Sequence, residues 1–386
     1  GELMQVPVRL LVAFKPSVAP ALLVAIASST VVFSATPFLL PAIAADRDVS
    51  LSVVGWVSTG QLGGFVAASF LAGRLLRPER HVFIIGAVLG VLANLSSAIA
   101  PNLALLTVAR SASGLSLGLA AWFGWQAAFG DNERTGDVAV IGPLVGVISA
   151  PVLSLLIQTA GVDSLFVVLA GITGLPLLFA HQIDRSVAPI DRGARHGATR
   201  AARLILLALG LITMGGSTVF VYAAAIGTGL NGLSAGTVAL LFSGNAMAGI
   251  PSAKWQGRRG SAGFWFFGTA VCSVLIASVR NDLVFAIGLV GWGFIFFMGL
   301  PAAFGLLASR SAFPQERAGD AQAIMALGRV FGPLIGGALL ASGSSTSLGI
   351  VAAGIIASAA LMLLYADRRN LPLRRSSTPG PAVASS

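Results

Sequence analysis

Long apolar stretches alternate with short polar ones along almost the whole chain. Each stretch holds about 20 residues, the length of helix that crosses the hydrocarbon of a bilayer, and is bounded by Pro, Gly or charge. The pattern predicts twelve membrane-spanning helices. We number them as spans one to twelve, near residues 18–44, 51–73, 82–100, 102–129, 138–160, 163–181, 204–229, 233–253, 262–279, 282–308, 321–341 and 346–366.

Composition supports a membrane protein, because 56% of the 386 residues are apolar, 10% are charged and the mean hydropathy is +0.89. No water-soluble globule could bury that much hydrocarbon surface. We therefore predict an all-α integral membrane fold of two six-helix halves joined by a basic linker. The predicted domains are a cytoplasmic segment 1–17, an N-terminal bundle 18–181, a linker 182–203, a C-terminal bundle 204–366 and a disordered cytoplasmic tail 367–386.

The 24 basic residues outnumber the 14 acidic ones, which taken alone would suit a nucleic-acid partner. Their positions indicate a membrane orientation instead. Arg47 and Arg280 fall in loops on one side, Arg110 and Arg329 fall within spans, and all the others lie on the second side. By the positive-inside rule this predicts a multi-pass inner-membrane protein with both termini cytoplasmic and no nucleic-acid partner.

An internal repeat relates the two halves. With an offset of 184 residues, Gly60-Gln61 of span two superposes on Gly244-Asn245 of span eight, and Arg74 superposes on Arg258. Parallel repeats of this kind are typical of transporters whose halves rock about a midplane site.

Arg110 and Arg329 are charges deep in predicted spans, where insertion costs about 2.5 to 3.5 kcal/mol. One interpretation is structural: each guanidinium bonds backbone carbonyls near Gly and Pro, or pins the two halves together. The other is functional: one or both face the central cavity and bind an anionic or carbonyl-bearing substrate through a planar charged fork.

No span carries an acid at mid-depth, which disfavours an exchanger of protons for cationic drugs, since such exchange needs a buried carboxylate. Asp137 and Asp320 each open a predicted span at an equivalent place. They are candidates for a titrating group, or alternatively helix caps that satisfy the dipole.

Four passages make the chain resemble the major facilitator superfamily, and within it the bacterial drug and sugar efflux branch. They are the turn Ser69 to Arg77, the stretch Arg110 to Gly118, the stretch Gly146 to Pro151, and the stretch Gly319 to Gly337, which contains Gly328 and Gly332-Pro333. The turn keeps Arg74 but has Gly73 where the family has an Asp. The resemblance implies a twelve-helix fold of two pseudo-symmetric bundles. It implies coupling or gating roles for Arg74, Arg77, Gly146, Pro151, Gly332 and Pro333, to which we add Asp137 and Asp320 as the candidate titrating groups named above. The alternative for the glycines is close helix packing.

The same resemblance implies that spans one, four, seven and ten line the cavity. Polar and aromatic residues there, together with two amides at matching places in spans two and eight, are candidate substrate contacts: Ser34, Trp122, Gln126, Tyr222, Trp292, Gln61 and Asn245. Packing or lipid contact is the alternative for each aromatic residue. Spans one and seven are expected to be interrupted, at Pro37 and at Gly215-Gly216.

The leading hypothesis for function is a secondary transporter that moves a small organic solute by alternating access, with efflux favoured by the antiporter-like pattern. The alternatives are a carrier of organic or inorganic anions centred on Arg110 and Arg329, and a transport-inactive sensor or scaffold. An enzyme is not expected, because three His and one Cys offer no metal cluster or nucleophile. We expect no cofactor or metal, a monomer in lipid, and a proton or counter-ion as the candidate coupling partner.

Overall fold

The computed structural model describes residues 18–128, 132–185, 196–253, 255 and 258–368, with the backbone alone at 73–74, 125, 128, 132–137, 139–140, 253, 315–316 and 318. All regular elements of these residues are helical. The helices are Pro20–Asp46 (span one), Leu51–Leu75 (two), Arg80–Ala98 (three), Leu103–Ala128 (four), Asn132–Gly174 with the 3-10 helix Leu175–Gln182 (five and six), Arg200–Phe220 with Ala223–Gly229 (seven), Ala235–Ala253 (eight), Ala262–Ala277 (nine), Asp282–Ser309 (ten), Pro314–Ala341 (eleven) and Ser345–Arg368 (twelve).

Nine helical stretches in the described ranges are long and apolar enough to cross a membrane. One of them, Ile141–Gln182, has 42 residues and is broken by Gly161, whose φ of 81° is unavailable to most residues, so it supplies two spans. Ala262–Ala277 is apolar but shorter, and Ala235–Ala253 completes the set. The prediction of an all-α membrane fold is confirmed.

The expected interruption of span one is absent from its helix, and that of span seven is wrong in position. Span one runs through Pro37 as one helix. Span seven also runs through Gly215-Gly216, because these glycines let it approach span twelve and the ring of Trp292 closely; it breaks instead after Phe220, just before Tyr222. Membrane helices tolerate Pro and Gly where neighbouring helices cover the freed backbone.

Spans five and eleven begin earlier than their apolar windows. Their helices start at Asn132 and Pro314, so Asp137 and Asp320 lie inside helices and are not N-terminal caps. A hydropathy window ends where the hydrocarbon ends, whereas the helix continues into the polar layer. Asp320 instead pairs with Arg317, one turn earlier, at 2.9 Å.

The internal repeat is visible in how the helices pack. In the N-terminal half, Gly114 of span four lies directly against the backbone carbonyl of Gln61. In the C-terminal half, Gly293 of span ten lies in the same way against the backbone carbonyl of Asn245. Each half therefore joins its second and fourth helices through one close glycine contact, as expected where small residues drive packing in lipid.

The halves meet along spans two and eleven and along spans five and eight. We call the end of the bundle that carries Leu75, Arg80, Arg200 and Ser309 the basic face, and the end that carries Asp46, Leu51 and Asp282 the opposite face.

Contacts between the halves are concentrated towards the opposite face. There Ser52 lies against Gly337, and a Cβ at Gly55 would meet the hydroxyl of Tyr222. Phe38 of span one packs on Phe242 of span eight with ring centroids 5.1 Å apart. The opposite face is thus closed by packing across the halves.

Spans five and eight separate towards the basic face. At mid-depth, a Cβ on Gly146 would lie 3.2 Å from Ala246. One turn nearer the basic face, a Cβ on Gly142 would meet nothing within 4 Å, although Gly142 shares the helix face of Gly146. The packing contacts named here between the halves thus lie at mid-depth and towards the opposite face, and Gly142 nearer the basic face has none.

Candidate functional site

Arg329 lies on the interior side of span eleven. Leu327 and Phe331 are about half exposed and mark the lipid side of this helix, whereas Gly328 packs on span seven and the carbonyl of Val330 approaches Thr59 of span two. At 100° per residue, Arg329 falls between the faces directed at spans seven and two, turned away from lipid. Its side chain nevertheless keeps solvent-accessible surface, so it borders the space between the halves.

The guanidinium of Arg329 has no hydrogen-bond acceptor and no carboxylate partner among the residues that the structure describes. Gln322 lies two turns nearer the basic face on the same side of the helix and is also partly exposed. A guanidinium offers five N–H donors and always carries its charge. An unpaired guanidinium in this position is suited to bind an anionic or carbonyl oxygen.

Arg110 has a different environment, inside the N-terminal bundle, where it is 1% exposed. Its Nε and Nη2 donate to Oε1 of Gln61 at 3.3 and 3.0 Å, and Nη1 donates to Oδ1 of Asn94 at 2.6 Å. Its guanidinium carbon lies 5.2 Å from the ring centroid of Phe166, a cation–π distance. Spans two, three and six therefore enclose the charge, and none of these contacts comes from the other half.

Tyr222 is a packing residue in this structure. It is fully buried, and its hydroxyl donates to the carbonyl of Pro333 at 2.7 Å. Thr213 of the same span donates to the carbonyl of Met325 at 2.8 Å. Tyr222 and Thr213 thus bind span eleven, whereas Ser217 and Thr218 donate to backbone carbonyls of their own helix. Pro333 receives the hydrogen bond of Tyr222, and the neighbouring Gly332 leaves room for Ser217 of span seven.

The other candidate contacts are scattered. Trp292 is buried against Gly216 and lies 5.9 Å from Phe220 between ring centroids, and Asn245 donates to the carbonyl of Leu289 at 2.7 Å. Trp122 packs edge-on against the neighbouring Phe123, with no partner for its ring N–H in the described part of the chain. Ser34 is half-buried and Gln126 is exposed. The structure therefore does not gather the candidates into one site.

The remaining candidates for gating occupy helix ends and the interface between the halves. Gly146 faces Ala246 of span eight, and Pro151 is half-buried one turn further on. Arg77 is exposed beyond the end of span two. The side chains of Arg74 and Asp137 lie outside the described residues.

Sequence reasoning missed Asn94 and Phe166, the two further partners of Arg110. Asn94 could have been found, because a lone amide in an apolar span rarely faces lipid. Its Nδ2 donates to the carbonyl of Gly90, which fixes the amide oxygen towards Arg110. Phe166 carries no such signal, because phenylalanine suits lipid and core equally.

The described residues contain no group of three or more His, Cys, Asp or Glu placed to hold a metal ion. Cys272, the single cysteine, is buried in span nine.

Two six-helix halves that share one packing scheme, with a charged group at the space between them, define the architecture of a secondary transporter. The profile of the Major Facilitator Superfamily matches residues 21–329. The chain belongs to this superfamily.

Solved structures with the same fold include several transporters. A variant of the nucleoside transporter NupG aligns with a TM-score of 0.69 at 9% identity, over 90% of this chain and 98% of that one. The human organic anion transporter MFSD10 gives 0.65 at 14% identity, over 89% and 97%. A bacterial homolog of the human lysosomal transporter Spinster, inward-facing and occupied, gives 0.62 at 13% identity, over 90% and 94%. No curated protein matches the chain in sequence.

Proposed function

We propose that this transporter carries a small organic anion by alternating access, with Arg329 as the partner of the anion's charge. The observation that supports this most is the unpaired guanidinium on the interior side of span eleven, described above. The proposal rests on Arg329 alone, because a likeness at 14% identity to an organic anion transporter shows the fold only.

The separation of the halves supports alternating access. The bundles 18–181 and 204–366 touch at the opposite face through Ser52, Gly337 and Tyr222, whereas a Cβ at Gly142, nearer the basic face, would meet nothing within 4 Å. Rocking about the contacts of spans two and eleven, and five and eight, would close the basic face and open the other. Arg329 lies near that pivot, so either opening would expose it.

Orientation, direction and assembly are parts of the same proposal. The excess of Lys and Arg at the basic face favours its placement in the cytoplasm, with both termini there and the protein in the inner membrane as a monomer. The glycine pattern of span eleven favours export. The absence of mid-span acids in the sequence favours a mechanism without a buried carboxylate, such as exchange against a second anion.

Transport by purified protein in liposomes tests the proposal. A panel of radiolabelled carboxylates is compared with the corresponding neutral amides, which match the carboxylates in shape. We expect uptake of at least one carboxylate and none of its amide. Arg329→Gln should lower the apparent affinity by about 10- to 100-fold or more, because charge-assisted bonds to the anion are lost, and Arg329→Lys should keep part of it.

Leu327→Ala is the matched control, since Leu327 lies on the lipid side of the same helix and is 47% exposed. It should transport like the wild type. Equal handling of carboxylate and amide, or an unaltered Arg329→Gln variant, would rule out the anion proposal. Binding of a carboxylate without any flux would instead support the sensor hypothesis.

A further inference from the structure

A second cavity lies beside Arg110, inside the N-terminal bundle and apart from Arg329. It is lined by Thr36 and aliphatic side chains of spans one and two, by Phe166, and by Ser58, Gln61 and Arg110. The room left for the centre of a water-sized sphere is ≈ 10 Å³, about what one water molecule or one ion needs. A ligand here would therefore be small.

Two polar side chains that line this cavity lack partners among the described residues. Gln61 is 3% exposed and Ser58 is 1% exposed. Because a guanidinium only donates, the amide oxygen of Gln61 must face Arg110, and its Nε2 is left without an acceptor. The hydroxyl of Ser58, one turn earlier on the same helix face, is also unsatisfied. Leaving buried polar groups unpaired is costly, so such groups indicate a missing partner.

Every unsatisfied group in the cavity can donate a hydrogen bond, and the hydroxyl of Ser58 can accept one as well. Arg110 uses three of its five N–H groups on Gln61 and Asn94, so two remain free. The amide N–H groups of Gln61 and the hydroxyl of Ser58 add to them. No carboxylate among the described residues contacts Arg110, so its buried charge is unbalanced. A cluster of donors with net positive charge and apolar walls matches a small anion.

Packing alone does not require a charge at this position. Gly114 and Gly293 make equivalent contacts in the two halves, and the residue four positions before each is Arg110 and Leu289 respectively. Leu289 is fully buried, so the matching helix contact of the C-terminal half packs closely without a charge at that place. Arg110 thus supplies something other than helix packing.

We propose that the N-terminal bundle holds one monatomic inorganic anion, of chloride size, between Arg110, Gln61 and Ser58. This site is separate from the proposed transport site, because its walls come only from the N-terminal half and Arg329 belongs to the other. The anion balances the charge of Arg110 and completes the polar contacts, and so stabilises the bundle. A halide suits the site because it accepts hydrogen bonds from any direction and needs no hydrogen bond from the apolar walls.

Thermal unfolding of the full chain in nanodiscs of uncharged lipid tests the site. Chloride replaces gluconate at constant ionic strength, without any transport substrate. The unfolding midpoint should rise with chloride and saturate, because an ion that binds only the folded state stabilises it. Ser58→Ala should need about 10-fold more chloride for half of the rise, since one bond to the anion is lost.

Two variants serve as controls. Ser97→Ala should respond like the wild type, because Ser97 is equally buried but donates to the carbonyl of Ala93. Arg329→Gln should also keep the full response. No rise in the wild type, an unchanged Ser58→Ala variant, or loss of the rise in Arg329→Gln would each overturn the anion site. The last result would leave the transport proposal intact.

Anomalous scattering from crystals of the wild-type chain in bromide provides a measurement that needs no variant. A bromide peak within hydrogen-bond distance of the Arg110 guanidinium is expected. Density for water alone at that position, without an anomalous signal, would overturn the proposal.

Discussion

The second and fourth helices of the two halves pack in the same way, but only the N-terminal pair encloses a charge. Gln61 faces Arg110, whereas Asn245 at the matching place donates to the backbone carbonyl of Leu289. The C-terminal half has its own interior arginine, Arg329, on a different helix and with no partner in the described part of the structure. The comparison separates an enclosed, bonded charge from an accessible, unpaired one, although both look alike in the sequence.

The largest expected effect on stability comes from changing the close glycine contact that both halves share. Gly114→Ala and Gly293→Ala each place a Cβ on a backbone carbonyl that cannot yield, so the helices must move apart. We expect each change to cost about 3 kcal/mol or more and to leave little folded protein. Size-exclusion chromatography and thermal unfolding measure this. Gly63→Ala is the control, since a Cβ there meets nothing within 4 Å. Tolerance of either change would show that the shared glycine contact is not needed.

The next effect comes from placing the charge in the other half. Leu289→Arg buries a guanidinium where the structure offers the amide of Asn245 and no anion. We expect a loss of about 3 to 5 kcal/mol, as for other unpaired buried charges. Denaturant unfolding in detergent provides the measurement. A variant as stable as the wild type would mean that the two halves tolerate charge equally, contrary to the comparison.

Removing the charge from the N-terminal half should have a smaller effect. Arg110→Leu leaves Oε1 of Gln61 and Oδ1 of Asn94 without donors, at a cost of about 1 to 3 kcal/mol. Adding Gln61→Leu removes one of these stranded acceptors and should recover part of the loss. A double-mutant cycle by thermal unfolding gives the coupling. Strictly additive losses would show that the Arg110 to Gln61 bonds do not stabilise the bundle.

The number of spans, their order and the depth of both arginines could be read from the sequence, because length and hydropathy determine them. The direction in which each side chain faces could not. These helices are apolar on nearly all sides, so a lipid-facing and a bundle-facing position look the same in the sequence. Tyr222 and Trp292 are examples: we predicted them as substrate contacts, and in this structure both are buried against neighbouring helices.

The glycines of span eleven also show how much the sequence leaves undecided about the role of a residue. Their spacing resembles a gating pattern, and the structure uses Gly328, Gly332 and Gly336 to fit span seven closely. Packing and gating require the same small residues, so the pattern alone cannot distinguish the two roles. Tyr222, next to the break in span seven, likewise donates to Pro333 of span eleven, more than 100 residues away in the chain.

Cysteine accessibility tests the central claim, that Arg329 borders water between the halves while the Arg110 site is enclosed. In a Cys272→Ser background, Arg329→Cys and Ser58→Cys are treated in proteoliposomes with a charged, water-soluble methanethiosulfonate reagent. Modification requires an accessible thiolate. The account predicts that the cysteine at 329 reacts at least about tenfold faster than the one at 58. Equal rates, or faster reaction at 58, would contradict it.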